Sequence, residues 1–190
     1  MPVLFYGSST AFNQTSSSSC QNRSFCTVYL TADTPNPFGP AFTGIAGADA
    51  FCQASPNRPS HVVQAKAFLV GTGVRIASVS ANAGDGQIDW VLFPGKEYRK
   101  ADGVTVIGTT LANRLLSLPL NSGFSFIGDT LQLTGMNPDW TFPAGGDCAG
   151  WTGGGTNAGV SFGDSVDAGA LNGGTLLCSS GPVKLRCVEQ

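Results

Sequence analysis

Apolar positions follow two regimes along the chain. Between Thr43 and Ala54 they recur at helical spacing, with Ile45, Ala48 and Cys52 at i, i+3 and i+7. Thr43 is placed to cap this segment, and Pro56 and Pro59 end it. Gly44 and Gly47 would weaken an isolated helix but let a strand approach closely. The helix in GIAGADAFCQ therefore depends on packing and turns Cys52 inward. From Ala65 onward the pattern changes to short β-prone runs between turn residues: KAFLV, VRIASV, DWVLF, FSFIG, LQLTG, TLLCS and KLRCVE. TVYL, just after Cys26, is a further β-prone run. TLANRLL, Thr110 to Leu116, is the one other helical candidate. A helix followed by strands predicts an α+β domain with a mainly antiparallel sheet, few helices and long loops.

The connections carry their own signals. TPNPFGP, Thr34 to Pro40, holds three prolines and reads as a linker. Residues 1–19 are Ser/Thr-rich and read as a flexible lead-in, leaving residues 20–190 as a single domain. WTGGGTNAGVSFGDS, Trp151 to Ser165, is too polar and glycine-rich to be core and reads as a long loop held at both ends by Cys148 and Cys178.

Composition narrows the class of function. The formal net charge is −2 and the charges are scattered, which gives no electrostatic footprint for nucleic acid and no polybasic patch for a membrane surface. No stretch approaches the roughly 20 apolar residues that span a bilayer. The opening MPVLFYGSST has neither the basic nor the long apolar region of a signal peptide. Six cysteines with no C-x-x-C pair, and one histidine, favour disulfides over zinc. An oxidising, extracytoplasmic compartment follows. Cys20 and Cys26 flank QNRSF and suggest a short disulfide-closed hairpin, while spacing alone leaves about fifteen connectivities open for six cysteines.

Catalytic motifs are not found. His61, in SPNRPSHVV, reads as an ordinary loop histidine. The pairs Asp85/Asp89 and Asp164/Asp167 read as solvated turn residues rather than an acid–base pair. GDGQID lacks the dense acidic ladder of a calcium loop, and GGGTNAG lacks the lysine of a phosphate loop. The expectation is a protein that is not an enzyme and needs no metal or cofactor. GKEYRK reads as a turn whose Lys96, Arg99 and Lys100, with Tyr98 between them, form a small rim patch for an acidic protein or a glycan. Trp90, Trp140 and Trp151 read first as core; an exposed one would become a contact anchor.

Taken in order, GIAGADAFC, KAFL, GQIDWVL, DGVTVIGTT, LTGMNPDW, DCAGW, LLC and KLRCVE resemble the leptospiral endostatin-like surface proteins, a version of the C-type lectin-like fold. The similarity runs from about Thr43 to Gln190. It implies disulfides Cys52–Cys187 and Cys148–Cys178, leaving Cys20 with Cys26, and it predicts that losing the first is the most damaging. It also implies an adhesin-like or immune-evasion module, on the outer membrane or secreted, whose partners are host proteins such as complement regulator factor H, laminin, fibronectin or plasminogen. An N-terminal lipid outside this chain would be its only link to a membrane. The alternative is a glycan-binding lectin, with or without calcium. Asn137, Asp139 and Trp140 in NPDW then join the GKEYRK residues as candidate contacts.

Overall fold

The computed structural model describes residues 19–34, 42–126, 131–153 and 156–190. The greater part of the expected lead-in, most of TPNPFGP and the end of FSFIG lie outside them. Among the described residues the sheet has eight strands, and it is assembled on the strand nearest the carboxyl end. β8 (Lys184–Glu189) pairs along one side with β1 (Phe25–Leu30), antiparallel. Along its other side it takes first β5 (Leu131–Leu133), parallel, and then β2 (Ala65–Ala67), antiparallel. β1 continues through parallel β3 (Glu97–Lys100) to the edge strand β4 (Val106–Thr109). β5 continues through β6 (Asn157–Phe162) to the other edge, β7 (Gly174–Leu177). The sheet is thus mainly antiparallel, and with few helices and three disulfides the domain is α+β.

Successive residues of a strand face opposite sides of the sheet, and two cores result. On one side Tyr29, Ala67, Leu133, Leu185 and Cys187 pack against Ile45, Ala48 and Cys52 of helix α1 (Ile45–Ala54), the three positions marked by the helical period. On the other side Val28, Phe68, Tyr98, Ile107 and Val188 are covered by loops that contribute Trp90, Leu116, Phe124 and Trp140. Phe68, Trp90 and Trp140 meet with ring centroids 5.3 to 6.1 Å apart. Each such pair contributes about 0.5–1.5 kcal/mol beyond its area. All three tryptophans are buried.

The disulfides are Cys20–Cys26, Cys52–Cys187 and Cys148–Cys178, the set that the resemblance implies. Cys20–Cys26 does not close a hairpin. It joins a single 3-10 turn (Cys20–Asn22) to β1, and β1 is an inner strand.

Several elements differ from their sequence signals. Gly44, at φ 84°, caps α1 in place of Thr43; only glycine takes that turn without strain. TLANRLL is a turn, not a helix: Leu111 N–H donates to Leu115 O and Arg114 sits at φ 65°. GKEYRK is strand β3 rather than a turn. The Gly-rich stretch supplies β6, whose Gly159 has no room for a side chain because the backbone of Gly135 and Met136 lies 3.2 Å from where a Cβ would be. In DWVLF, Trp90, Val91 and Leu92 are buried but form no strand. The carbonyls of Trp90 and Leu92 take hydrogen bonds from the Arg114 guanidinium, and that of Val91 takes one from the Gln190 amide. Side chains supply there what a neighbouring strand supplies elsewhere.

The stretch Cys148–Trp151 is a single turn wound left-handed, with φ of 51°, 55°, 74° and 61°. Such backbone costs roughly 1–2 kcal/mol for each non-glycine residue. It is held by the Cys148 disulfide, by the buried Asp147 carboxylate accepting from Gly150 N–H, and by Trp151 Nε1–H donating to Val70 O.

Candidate functional site

Two concavities bring polar side chains together. The larger, a groove of about 640 Å³, lies where α1 crosses the outer edge of β2 and is lined by Asp49, Ala50, Gln53, Gln64, Lys66 and Gln190. Asp49 and Gln53 are one helical turn apart and reach the same strand edge. Gln53 accepts from Ala65 N–H and donates to Val63 O, and Asp49 accepts from Ala67 N–H. The helix thereby covers backbone groups that an edge strand leaves open.

Behind the groove stands Arg75, fully buried. Its guanidinium holds both Asp49 oxygens at 2.7–2.9 Å, Asp89 Oδ2 at 2.6 Å and Ala67 O at 2.8 Å. Lys66 closes the chain of charges on Asp89. Burial alone would raise the Asp89 pKa, but its bonds to Lys66 and Arg75 bring it below the usual carboxylate value. Asp89 is therefore an anchor in an ion-pair network, not a free turn residue. Two cations and two carboxylates cancel, so the groove presents fixed dipoles and amides rather than net charge.

The second concavity, a cleft of about 180 Å³, opens at the carboxyl ends of the parallel strands β1 and β3. Val28, Leu30, Phe124 and Phe126 form apolar walls, and Asn57, Lys100 and Lys184 supply polar groups. Lys100 is only 6% exposed. Its ammonium donates to Ser125 O at 2.8 Å and lies 4.5 Å from the centre of the Phe126 ring. Among the described residues it forms no ion pair. Desolvation pushes its pKa down, only partly offset by Asp102.

The other GKEYRK residues are occupied within the molecule. Tyr98 is fully buried, its hydroxyl accepting from Phe93 N–H. Arg99 pairs with Glu97, donates to Gly103 O and stacks over Phe25. Lys96 Nζ donates to Gln21 O and Arg23 O. Within β3 burial alternates, so Lys100 shares the inner side with Tyr98 while Arg99 faces the other way; Lys96 lies before the strand. In NPDW, Asn137 donates to Thr141 Oγ1, Asp139 accepts from Thr141 N–H and Oγ1–H, and Trp140 is core. The structure does not bring NPDW to the Lys100 cleft. His61 is exposed, with Nε2 2.9 Å from Thr27 Oγ1. Among the described residues no cluster of His, Cys, Asp or Glu could hold a metal ion.

Residues 35–167, well over half of the chain, match a family described as "Protein of unknown function (DUF1554)". The chain belongs to the DUF1554 family. No curated protein matches it. The DUF1554 match takes in α1 and β2 to β6 but stops short of β1 and β8. Both concavities straddle its limits: Gln190 completes the groove, and Tyr29 and Lys184 help line the cleft, from outside the matched segment.

Proposed function

We propose that this DUF1554 protein is a non-enzymatic binding module of the endostatin-like, C-type lectin-like kind, exposed at the outer membrane or secreted, that holds a host extracellular protein. The resemblance of its ordered motifs supports the kinship, and the three disulfides suit an extracytoplasmic setting. The observation that carries the reading is the α1–β2 groove. Its Asp49, Gln53, Lys66 and Gln190 side chains are already fixed by hydrogen bonds on a cross-linked frame. A ligand meeting such a surface loses little rotamer entropy on the protein side.

The test uses purified factor H, laminin, fibronectin and plasminogen on a biosensor surface, with the parent protein and Ala50→Arg. Ala50 is exposed in the groove, so an arginine there fills it without entering the core. Binding of at least one of the four by the parent, lost in Ala50→Arg at an unchanged melting temperature, is the expected outcome. No binding to any of them, or equal binding by the variant, overturns the reading.

The amides of Gln53, Gln64 and Gln190 beside the Asp49 carboxylate also suit vicinal sugar hydroxyls, which favours glycan binding as the second reading. Calorimetry with neutral oligosaccharides, with and without chelator, separates the two.

A further inference from the structure

The cleft at the ends of β1 and β3 is separate from the groove, and its chemistry differs. Lys100 sits 94% buried, and among the described residues its charge meets a carbonyl and a ring face. The carboxylate among the described residues that acts on it, Asp102, is engaged elsewhere: Asp102 Oδ1 accepts from the N–H of Val104 and Thr105, and Oδ2 accepts from Thr105 Oγ1–H. A buried cation without an anion carries a desolvation cost that a bound oxyanion relieves. Around it the walls are apolar. Phe126 is 57% exposed beside the ammonium, Phe124 and Val28 are buried beneath, and the Asn57 amide stands at the rim, donating to Leu30 O.

On the same side of the sheet, two residues along from Lys184, the fully buried Arg186 lies 3.5 Å over the Phe124 ring and bonds only to neutral acceptors. Among the described residues no ion pair neutralises Lys100 or Arg186, so these two leave the floor of the cleft with positive potential. The cleft offers about 180 Å³ of space. That is room for one small organic group rather than a polymer segment.

We propose that this cleft binds a small monocarboxylic acid with an apolar stem, its carboxylate on the Lys100 ammonium and its stem against Phe124 and Phe126. The acid group supplies the missing counter-charge, and the rings give the stem a dry wall, the usual combination of an apolar pocket with few convergent polar groups.

Calorimetric titration with phenylacetate, phenylacetamide, sulfate and the peptide N-acetyl-Gly-Gly-Phe tests this in the parent, Lys100→Met and Phe126→Ala. Phenylacetate is expected to bind the parent at up to millimolar concentration. The amide is expected to bind about tenfold or more weakly, since it lacks the charge-assisted bond. Lys100→Met should lose the acid-over-amide preference, Phe126→Ala should weaken both compounds, and sulfate should not compete. Equal binding of acid and amide by the parent, no binding of either, or full competition by sulfate overturns the proposal. So does a peptide bound tenfold tighter than phenylacetate, which would place a chain terminus there. Should Lys100→Met not fold, the parent comparison and the exposed Phe126→Ala decide.

Discussion

Arg75 and Arg186 are both fully buried guanidiniums, and they are satisfied in opposite ways. Arg75 faces two carboxylates, whereas Arg186 meets Gln132, Ser161, the carbonyl of Ala170 and two phenyl rings. Removing Arg75 leaves the partly buried Asp49 without its cation and Asp89 with Lys66 alone, so Arg75→Met is expected to destabilise the domain by about 2–4 kcal/mol in urea titration. Asp85 acts locally. Its carboxylate accepts from Ser80 N–H and Oγ–H and from Ser78 Oγ–H and Val79 N–H, bonds that hold its pKa at about 2. A folded pKa below the unfolded value of roughly 3.9 means that its contribution is complete above about pH 4 and is lost as pH falls through about 2. Carbon NMR of the Asp85 carboxyl should titrate there, together with chemical-shift changes in residues 78–85. These residue roles were only partly legible. Lys100 was singled out, but as a member of a surface patch, because nothing in GKEYRK marks the pairing partner that turns it inward. Asp49 carried a faint signal as the lone charge on a small-residue helix. Its partner Arg75 is 26 residues away and invisible to local reading.

At the scale of elements, α1 was readable because ten residues of helix leave a period to detect, and its inward positions follow that period. Strands of three or four residues, such as β2, β5 and β7, are too short to show an alternation. β6 was hidden for another reason. Its one glycine, Gly159, marks close backbone packing against Gly135 and Met136, but in sequence it looks like a loop residue. Gly135 is the sharper case. At φ 66° its Cβ would stand 2.9 Å from the Trp151 ring and 3.0 Å from Val70 O, so Gly135→Ala combines left-handed strain with crowding. It should cost about 2–4 kcal/mol, read as a lower denaturation midpoint with an unchanged m-value. Ala149→Gly, in the left-handed turn, should stabilise the domain by about 1 kcal/mol, because glycine takes that backbone without a Cβ penalty. Scanning calorimetry measures it.

For the whole molecule, the cross-links decide how much of the fold survives a cut. Cys52–Cys187 spans 135 residues and ties α1 to the central strand, Cys148–Cys178 spans 30, and Cys20–Cys26 only 6. Chain-closure entropy assigns them roughly 5, 3.5 and 2.5 kcal/mol. Replacing both members of each pair with serine should therefore lower stability in that order in chemical denaturation. A reversed order would mean that native-state strain, not closure of the unfolded chain, dominates. The α+β class was legible from the order of helical and strand signals and the extracytoplasmic setting from the cysteine count, whereas the pairing set came only through the family resemblance, since spacing leaves about fifteen connectivities open. The inner position of β1 was not legible, since TVYL pairs with segments some 70 and 160 residues further on.

The strand on which the sheet is built is also the last of the eight to leave the ribosome. Until Lys184–Glu189 emerges, β1, β2 and β5 have no common neighbour and Cys52 lacks its native partner. Removing Lys184–Glu189 would therefore part the β1 half of the sheet from the β5 half and leave α1 without its covalent tie.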